Sequence, residues 1–134
     1  MKPVDVSLWD MPIRVIRKSD LAGTARHVRN DSYETFRFLL KPDGAGVTIT
    51  DIVLKPGIEA EYGYDGHVEM AYCIEGRAKL TDLATGGIER IEPGTLWIAP
   101  KGARFRFVAE TPTRLICVFT PPFDGGETGF AGDQ

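Results

Sequence analysis

The sequence predicts an all-β domain whose short antiparallel strands close into a jelly-roll barrel, and three observations predict it. Runs rich in β-branched and aromatic residues recur at short intervals, punctuated by fifteen glycines and nine prolines. No stretch past the first third of the chain keeps a 3.6-residue apolar period. A chain of 134 residues, 43% of them hydrophobic, is long enough for one core and too short for two. So many short strands would expose many unpaired edges, and closing the sheet or packing two sheets face to face removes them.

In chain order, residues 1–12 form an extension, and SDLAGT (19–24) reads as a short helical turn that Ser19 could cap. Candidate strands follow: FRFLL (36–40), GVTITDIVL (46–54), VEMAYCI (68–74), RAKLTDL (77–83), GIERI (87–91), TLWIA (95–99), ARFRFVAE (103–110) and TRLICVF (113–119). Their links KPDG, KPG, DLATGG, EPG, PKG and ETP carry the glycine, proline and aspartate of tight turns. Residues 123–134, poor in strand formers, read as a lid across the barrel or a frayed tail. The whole, 1–134, reads as a single domain without repeats.

Composition narrows the function. Sixteen basic and nineteen acidic side chains give a net charge of -3 with no block of like charge, so nucleic acid is not an expected partner. No apolar run nears the roughly 18 residues a membrane span needs, and MKPVDVSLWDMP lacks the apolar centre of a signal peptide, so the expected location is the cytoplasm. Cys73 and Cys117 lie in the apolar runs YCI and LICVF, where a thiol behaves as a small buried hydrophobe.

The chemistry concentrates in EYGYDGHVEMAYCIEG, which holds one of the two histidines. Residues two apart on a strand face the same way, so His67 and Glu69 could pair if the strand starts by position 67. His27 sits in a polar segment and reads as a surface residue. If Glu69 faces inward, so do Ala71 and Cys73. The same alternation groups Trp97 with Ala99, Phe105 with Phe107, and Leu115 with Cys117 and Phe119. The inferred lumen is apolar and aromatic around a carboxylate, which must take up a proton, pair with Arg37 or await a cationic ligand. The aromatic residues alone would equally serve as ordinary core.

The spacing of Glu69, seven residues before Gly76, and of the Pro93-Gly94 turn resembles the two motifs of the cupin superfamily. A closer resemblance is to the ectoine synthase family, carried by HVEMAYCIEGRA, DLATGG, EPGT and CVFTPP in that order, with GTARHVRNDSYETFRFLLKPDGAGV upstream. It runs from about Pro12 to Glu127. The resemblance implies a cupin barrel, a homodimer, and closure of N-acetyl-2,4-diaminobutyrate to a cyclic amidine with loss of water. It also implies a catalytic iron held by a glutamate, a tyrosine and a histidine.

Only the glutamate is kept, as Glu69. Trp97 stands at the tyrosine's place and Phe105 at the histidine's, and neither offers a lone pair to a metal. One carboxylate does not hold iron, so no cofactor is expected. The resemblance carries over further pocket positions: Tyr33, Arg37, Tyr64, Cys117, Phe119 and Glu127. The expectation is Glu69 as acid and base, with Tyr33, Arg37, Tyr64, Trp97, Phe105, Cys117, Phe119 and Glu127 binding a small amino acid derivative, Arg37 at its carboxylate. The alternative is a metal-free cupin that binds a small zwitterion or cation through ion pairing and cation-π contact without turnover.

Overall fold

In the computed structural model, residues 12–131 are described. The first eleven residues of the expected extension and the last three of the expected tail, 132–134, lie outside the described residues. Ten strands follow a short helix, α1 (Lys18–Leu21): β1 (His27–Arg29), β2 (Tyr33–Leu39), β3 (Thr48–Leu54), β4 (Ala60–Gly63), β5 (Val68–Glu75), β6 (Ala78–Asp82), β7 (Ile88–Ile91), β8 (Leu96–Ala99), β9 (Arg104–Ala109) and β10 (Thr113–Thr120). They form two sheets, one of six strands in the order β1-β2-β3-β10-β5-β8 and one of four in the order β4-β9-β6-β7, every pairing antiparallel. The architecture is the expected all-β jelly roll.

All eight expected strands are present, and two more join them. β1 reads HVR and β4 reads AEYG, too short and too polar to show alternation, and each exists because a longer neighbour templates it. His27 pairs with Phe36 of β2, and Tyr62 with Phe105 of β9. Pairing with β1 also draws the start of β2 back to Tyr33. Ser19 is not the cap of α1: it lies inside the helix, the N-cap is Arg17, and the Asp20 carboxylate accepts the Arg17 backbone N–H at 2.8 Å.

Alternation decides the core. Along β9 and β10 every second residue is buried, which sends Phe105, Phe107, Leu115, Cys117 and Phe119 between the sheets. From β5, Glu69, Ala71 and Cys73 point the same way. Both cysteines are free thiols inside this core. On the outer face, Arg114 of β10 grips Asp51 of β3 through two bonds, at 2.9 and 2.6 Å, and Lys18 of α1 joins them at 3.0 Å.

The turn between β5 and β6 explains one motif glycine. Gly76 has φ +93, and a Cβ there would run into the Pro112 carbonyl and Thr113 at the start of β10. Only glycine lets the two chains approach so closely. Past a register shift at Arg114/Leu115, the β5/β10 ladder sets Glu69 opposite Phe119 and Ala71 opposite Cys117.

Candidate functional site

Glu69 sits in the inner strands of the six-stranded sheet, between Phe119 of β10 and Ala99 of β8. Its position is dictated by period: two buried small residues, Ala71 and Cys73, share its face and leave the space its side chain enters. It is 6% exposed, and burial pushes its carboxyl up to about 8, with a hydrogen bond from the Cys117 thiol pulling modestly the other way. The group therefore carries a proton at neutral pH. It has no ion-pair partner among the described residues, and its Oε1 accepts no hydrogen bond. The thiol of Cys117, itself bonded to Glu69 and Thr50, is held far up its ordinary range by burial and the nearby carboxyl.

Aromatic rings build the wall. Trp97 meets Phe105 edge-on at 4.9 Å between centroids and stacks on Phe107 at 6.2 Å. Tyr62 stacks on Phe105 at 5.9 Å, and Tyr64 meets Phe119 at 5.0 Å. Burial pushes the Tyr62 phenol up to about 12 and raises that of Tyr64 well above its ordinary value, so both stay neutral hydrogen-bonding groups. Tyr33, Tyr64, Glu69, Trp97, Phe105, Cys117 and Phe119, all expected at the site, line one cavity of about 40 Å³ together with Thr50, Tyr62, Phe107 and Thr128. At roughly 10–15 Å³ per water centre, that is room for about three waters.

Arg37 and Glu127 lie elsewhere. Arg37, 4% exposed, lines a smaller adjoining hollow with Phe123, and it donates one NH₂ to the Gly125 carbonyl at 2.6 Å and the other to the Glu127 carbonyl. The Glu127 carboxylate turns back on its own loop, accepting the Asp124 and Gly125 N–H groups at 3.0 and 2.9 Å, and these bonds lower its pKa against the penalty of burial. Glu127 thus belongs to a strap, 123–131, that crosses the barrel mouth, and Arg37 of β2 holds it there. Further ties are the Tyr33 hydroxyl donating to the Thr128 carbonyl (2.7 Å), the Gly63 N–H to Gly129 (2.9 Å) and the Phe123 N–H to Thr48 Oγ1 (2.7 Å). Gly129 is required where it lies: at φ +83, a Cβ would strike the Tyr64 hydroxyl.

Neither histidine joins Glu69. β5 starts at Val68, one residue after His67, whose Nδ1 lies 2.6 Å from the Pro121 carbonyl and whose Nε2 faces the Glu127 carboxylate at 3.7 Å. His27 is not the surface residue its polar neighbours imply. Its ring stacks on Phe36 at 4.1 Å and bonds Glu34 at 2.7 Å because β1 folds it against β2. Tyr62, Thr50 and Thr128 line the cavity without being among the expected site residues. The signal for Tyr62 was its register two residues before Tyr64, whereas Thr128 shows none.

The donor set does not fit the iron that the resemblance implies. Trp97 and Phe105, packed against each other, occupy the two missing ligand positions with an N–H and a hydrocarbon ring, and no three His, Cys, Asp or Glu side chains cluster among the described residues.

Comparison with known proteins agrees with the motifs. A family model described as ectoine synthase matches residues 13–131. The L-ectoine synthase of Thermobifida fusca is 37% identical over 108 residues, 81% of each chain. That of Oceanobacillus iheyensis is 34% identical over 109 residues, 81% of this chain and 85% of its own. Among solved structures, the ectoine synthase from P. lautus superposes with a TM-score of 0.80 at 30% identity, covering 86% of this chain and 83% of that one. An RmlC-like cupin from Shewanella frigidimarina, at 18% identity and a TM-score of 0.59 over 71% of this chain and 81% of its own, shares the fold.

Proposed function

Because the chain belongs to the ectoine synthase family, with that family's cupin fold, we propose that it acts on N-acetyl-2,4-diaminobutyrate or a close small amino acid derivative inside the barrel, without the family's iron. The observation that carries this reading is Glu69: an acid walled in by rings, near 8, has the proton affinity of a group that gives and takes protons at neutral pH. In ring closure the free amine attacks the amide carbon. A carbon–nitrogen bond forms, and the carbonyl oxygen leaves as water after gaining two protons. Both protons come from the attacking nitrogen, which gives up its two N–H bonds as the amidine forms: Glu69 can deliver one proton to the oxygen, recover one from the nitrogen, and repeat the transfer. The strap supplies the exclusion of water that such a dehydration needs, and it must open for the substrate, since the closed cavity of about 40 Å³ does not hold the whole molecule. The relatives it matches are named as enzymes.

The same wall favours a second reading, binding without turnover. Rings around a carboxyl suit a small cation or zwitterion, and the family's Lewis acid has lost two of its three ligand positions. No described helix is long and apolar enough to cross a membrane. We place the protein in the cytoplasm as a homodimer. The test is to incubate chelator-treated protein with N-acetyl-2,4-diaminobutyrate and follow the cyclic amidine by NMR. Product that disappears in Glu69→Gln supports the enzyme, binding without product supports the second reading, and turnover that requires added iron refutes the metal-free site.

A further inference from the structure

Two buried polar atoms of the cavity wall use none of their hydrogen-bonding capacity: Glu69 Oε1 and Trp97 Nε1. A buried donor or acceptor left unpaired costs roughly 1–3 kcal/mol, so native proteins seldom keep two in one place without an occupant. Their placement is not accidental. In the β5/β8 ladder, Glu69 faces Ala99 and Trp97 faces Ala71, so the two are diagonal neighbours on one inward face. Diagonal pairs lie within mutual reach of long and aromatic side chains. The residues opposite each of them, Ala99 and Ala71, are small, and Glu69 and Trp97 line the same cavity.

The chemistry of the pair selects its ligand. An indole N–H can only donate, and a carboxyl group keeps an acceptor oxygen whether or not it is protonated. An ammonium group would satisfy Glu69 and leave the Trp97 donor unused. A carboxylate would take the Trp97 donor but has no donor to offer the Glu69 acceptor oxygen. A secondary amide presents an acceptor and a donor across one bond. We propose that Glu69 and Trp97 form a recognition pair for an N-acetyl group, Trp97 N–H donating to the carbonyl oxygen and Glu69 Oε1 accepting the amide N–H.

Size agrees. Space for about three waters is close to the bulk of the four non-hydrogen atoms of an acetamide unit, and the rings of Phe105 and Phe107 beside Trp97 give its methyl group an apolar seat. A longer acyl chain has no room in the closed barrel. The pair thus occupies positions at which the family's chemistry places metal ligands, and it polarises a carbonyl by hydrogen bonding. This inference rests on the reading that the substrate is an acylated amino acid, and it is tested apart from turnover.

The experiment is calorimetric titration of the full chain with three probes: N-acetyl-2,4-diaminobutyrate, 2,4-diaminobutyrate, and the N-butanoyl homologue. The acetyl compound is expected to bind at least about tenfold tighter than either of the others: 2,4-diaminobutyrate lacks the amide and with it both hydrogen bonds, while the butanoyl homologue keeps them but exceeds the space of about 40 Å³. Trp97→Phe keeps the ring and removes only the donor, and it should lower affinity for the acetyl compound about tenfold while leaving 2,4-diaminobutyrate unchanged. Circular dichroism checks its fold, and if that variant does not fold the three probes on the unaltered chain decide the matter. Equal affinity for the acetylated and free amines, or an unchanged Trp97→Phe, overturns the pair. Product formation with an unchanged Trp97→Phe discards the pair and leaves the reaction standing. Acetyl-selective, Trp97-dependent binding without product does the reverse.

Discussion

Replacing Glu69 by glutamine isolates what it costs to keep this acid in the core. Burial carries the carboxyl from 4.5 up to about 8, and at 1.36 kcal/mol for each tenfold change in proton affinity the ionised form is disfavoured inside the barrel by about 5 kcal/mol. Because the folded-state value is raised, the folded chain keeps a proton that the unfolded chain has released. Its stabilising effect is complete below about pH 4.5, shrinks as the pH rises, and is gone above about pH 8. Glutamine has nothing to release. The stability of Glu69→Gln relative to the unaltered protein should therefore rise across that window by up to about 5 kcal/mol, less whatever water entry recovers once the acid ionises. Urea midpoints of both proteins, taken from about pH 5 to about pH 9, measure it, and every other titrating group cancels in the difference. Two curves that stay parallel would falsify the claim that Glu69 is held neutral by its surroundings.

Two other perturbations address the strap and the outer face. Arg37→Met removes both bonds to the Gly125 and Glu127 carbonyls, each of a kind worth roughly 1.5–3 kcal/mol. Amide exchange in 123–131 should then accelerate by at least tenfold while β5 and β10 stay protected, and unchanged exchange would remove Arg37 as the latch. β8 is one of the two edges of the six-stranded sheet, and its outward Leu96 and Ile98 are 58% and 61% exposed beside Tyr72 at 45%. Such an edge in a lone molecule is an aggregation site, so light scattering should give the mass of a dimer, and Leu96→Lys with Ile98→Lys should give a monomer. A monomeric unaltered chain at micromolar concentration, on the order of the lower range at which association is tested, rules this out.

Most of the fold was legible because its signals are local. Period-two alternation along 103–110 and 113–119 is visible in the residues themselves, and the glycine and proline turns mark where each strand must stop. β1 and β4 were not legible, for they carry three and four residues and are held by neighbours. Nothing in HVR specifies a strand until β2 lies beside it. The misplacement of His27 follows from the same gap, since its shielding against Phe36 is a consequence of that pairing. Ser19 failed as a cap because Asp20 provides the acceptor three residues from Arg17.

The site divides along the same line. Alternation within single strands groups the rings around Glu69 once the resemblance sets that residue inward, and seven of the nine residues singled out share that cavity. Arg37 shows what alternation cannot give. The resemblance places it at the pocket, yet its partners are backbone carbonyls about ninety positions further along the chain, and a carbonyl carries no sequence signature. A guanidinium with both NH₂ groups so engaged has only Nε without a partner, so while the strap is closed it is poorly placed to grip a substrate carboxylate bidentately. Either the strap opens and Arg37 exchanges carbonyls for carboxylate, or the arginine only holds the strap shut. The Arg37→Met variant separates these when binding is measured alongside exchange: a substrate anchor loses affinity for N-acetyl-2,4-diaminobutyrate far more than for the same molecule with its carboxylate amidated, whereas a latch weakens both alike.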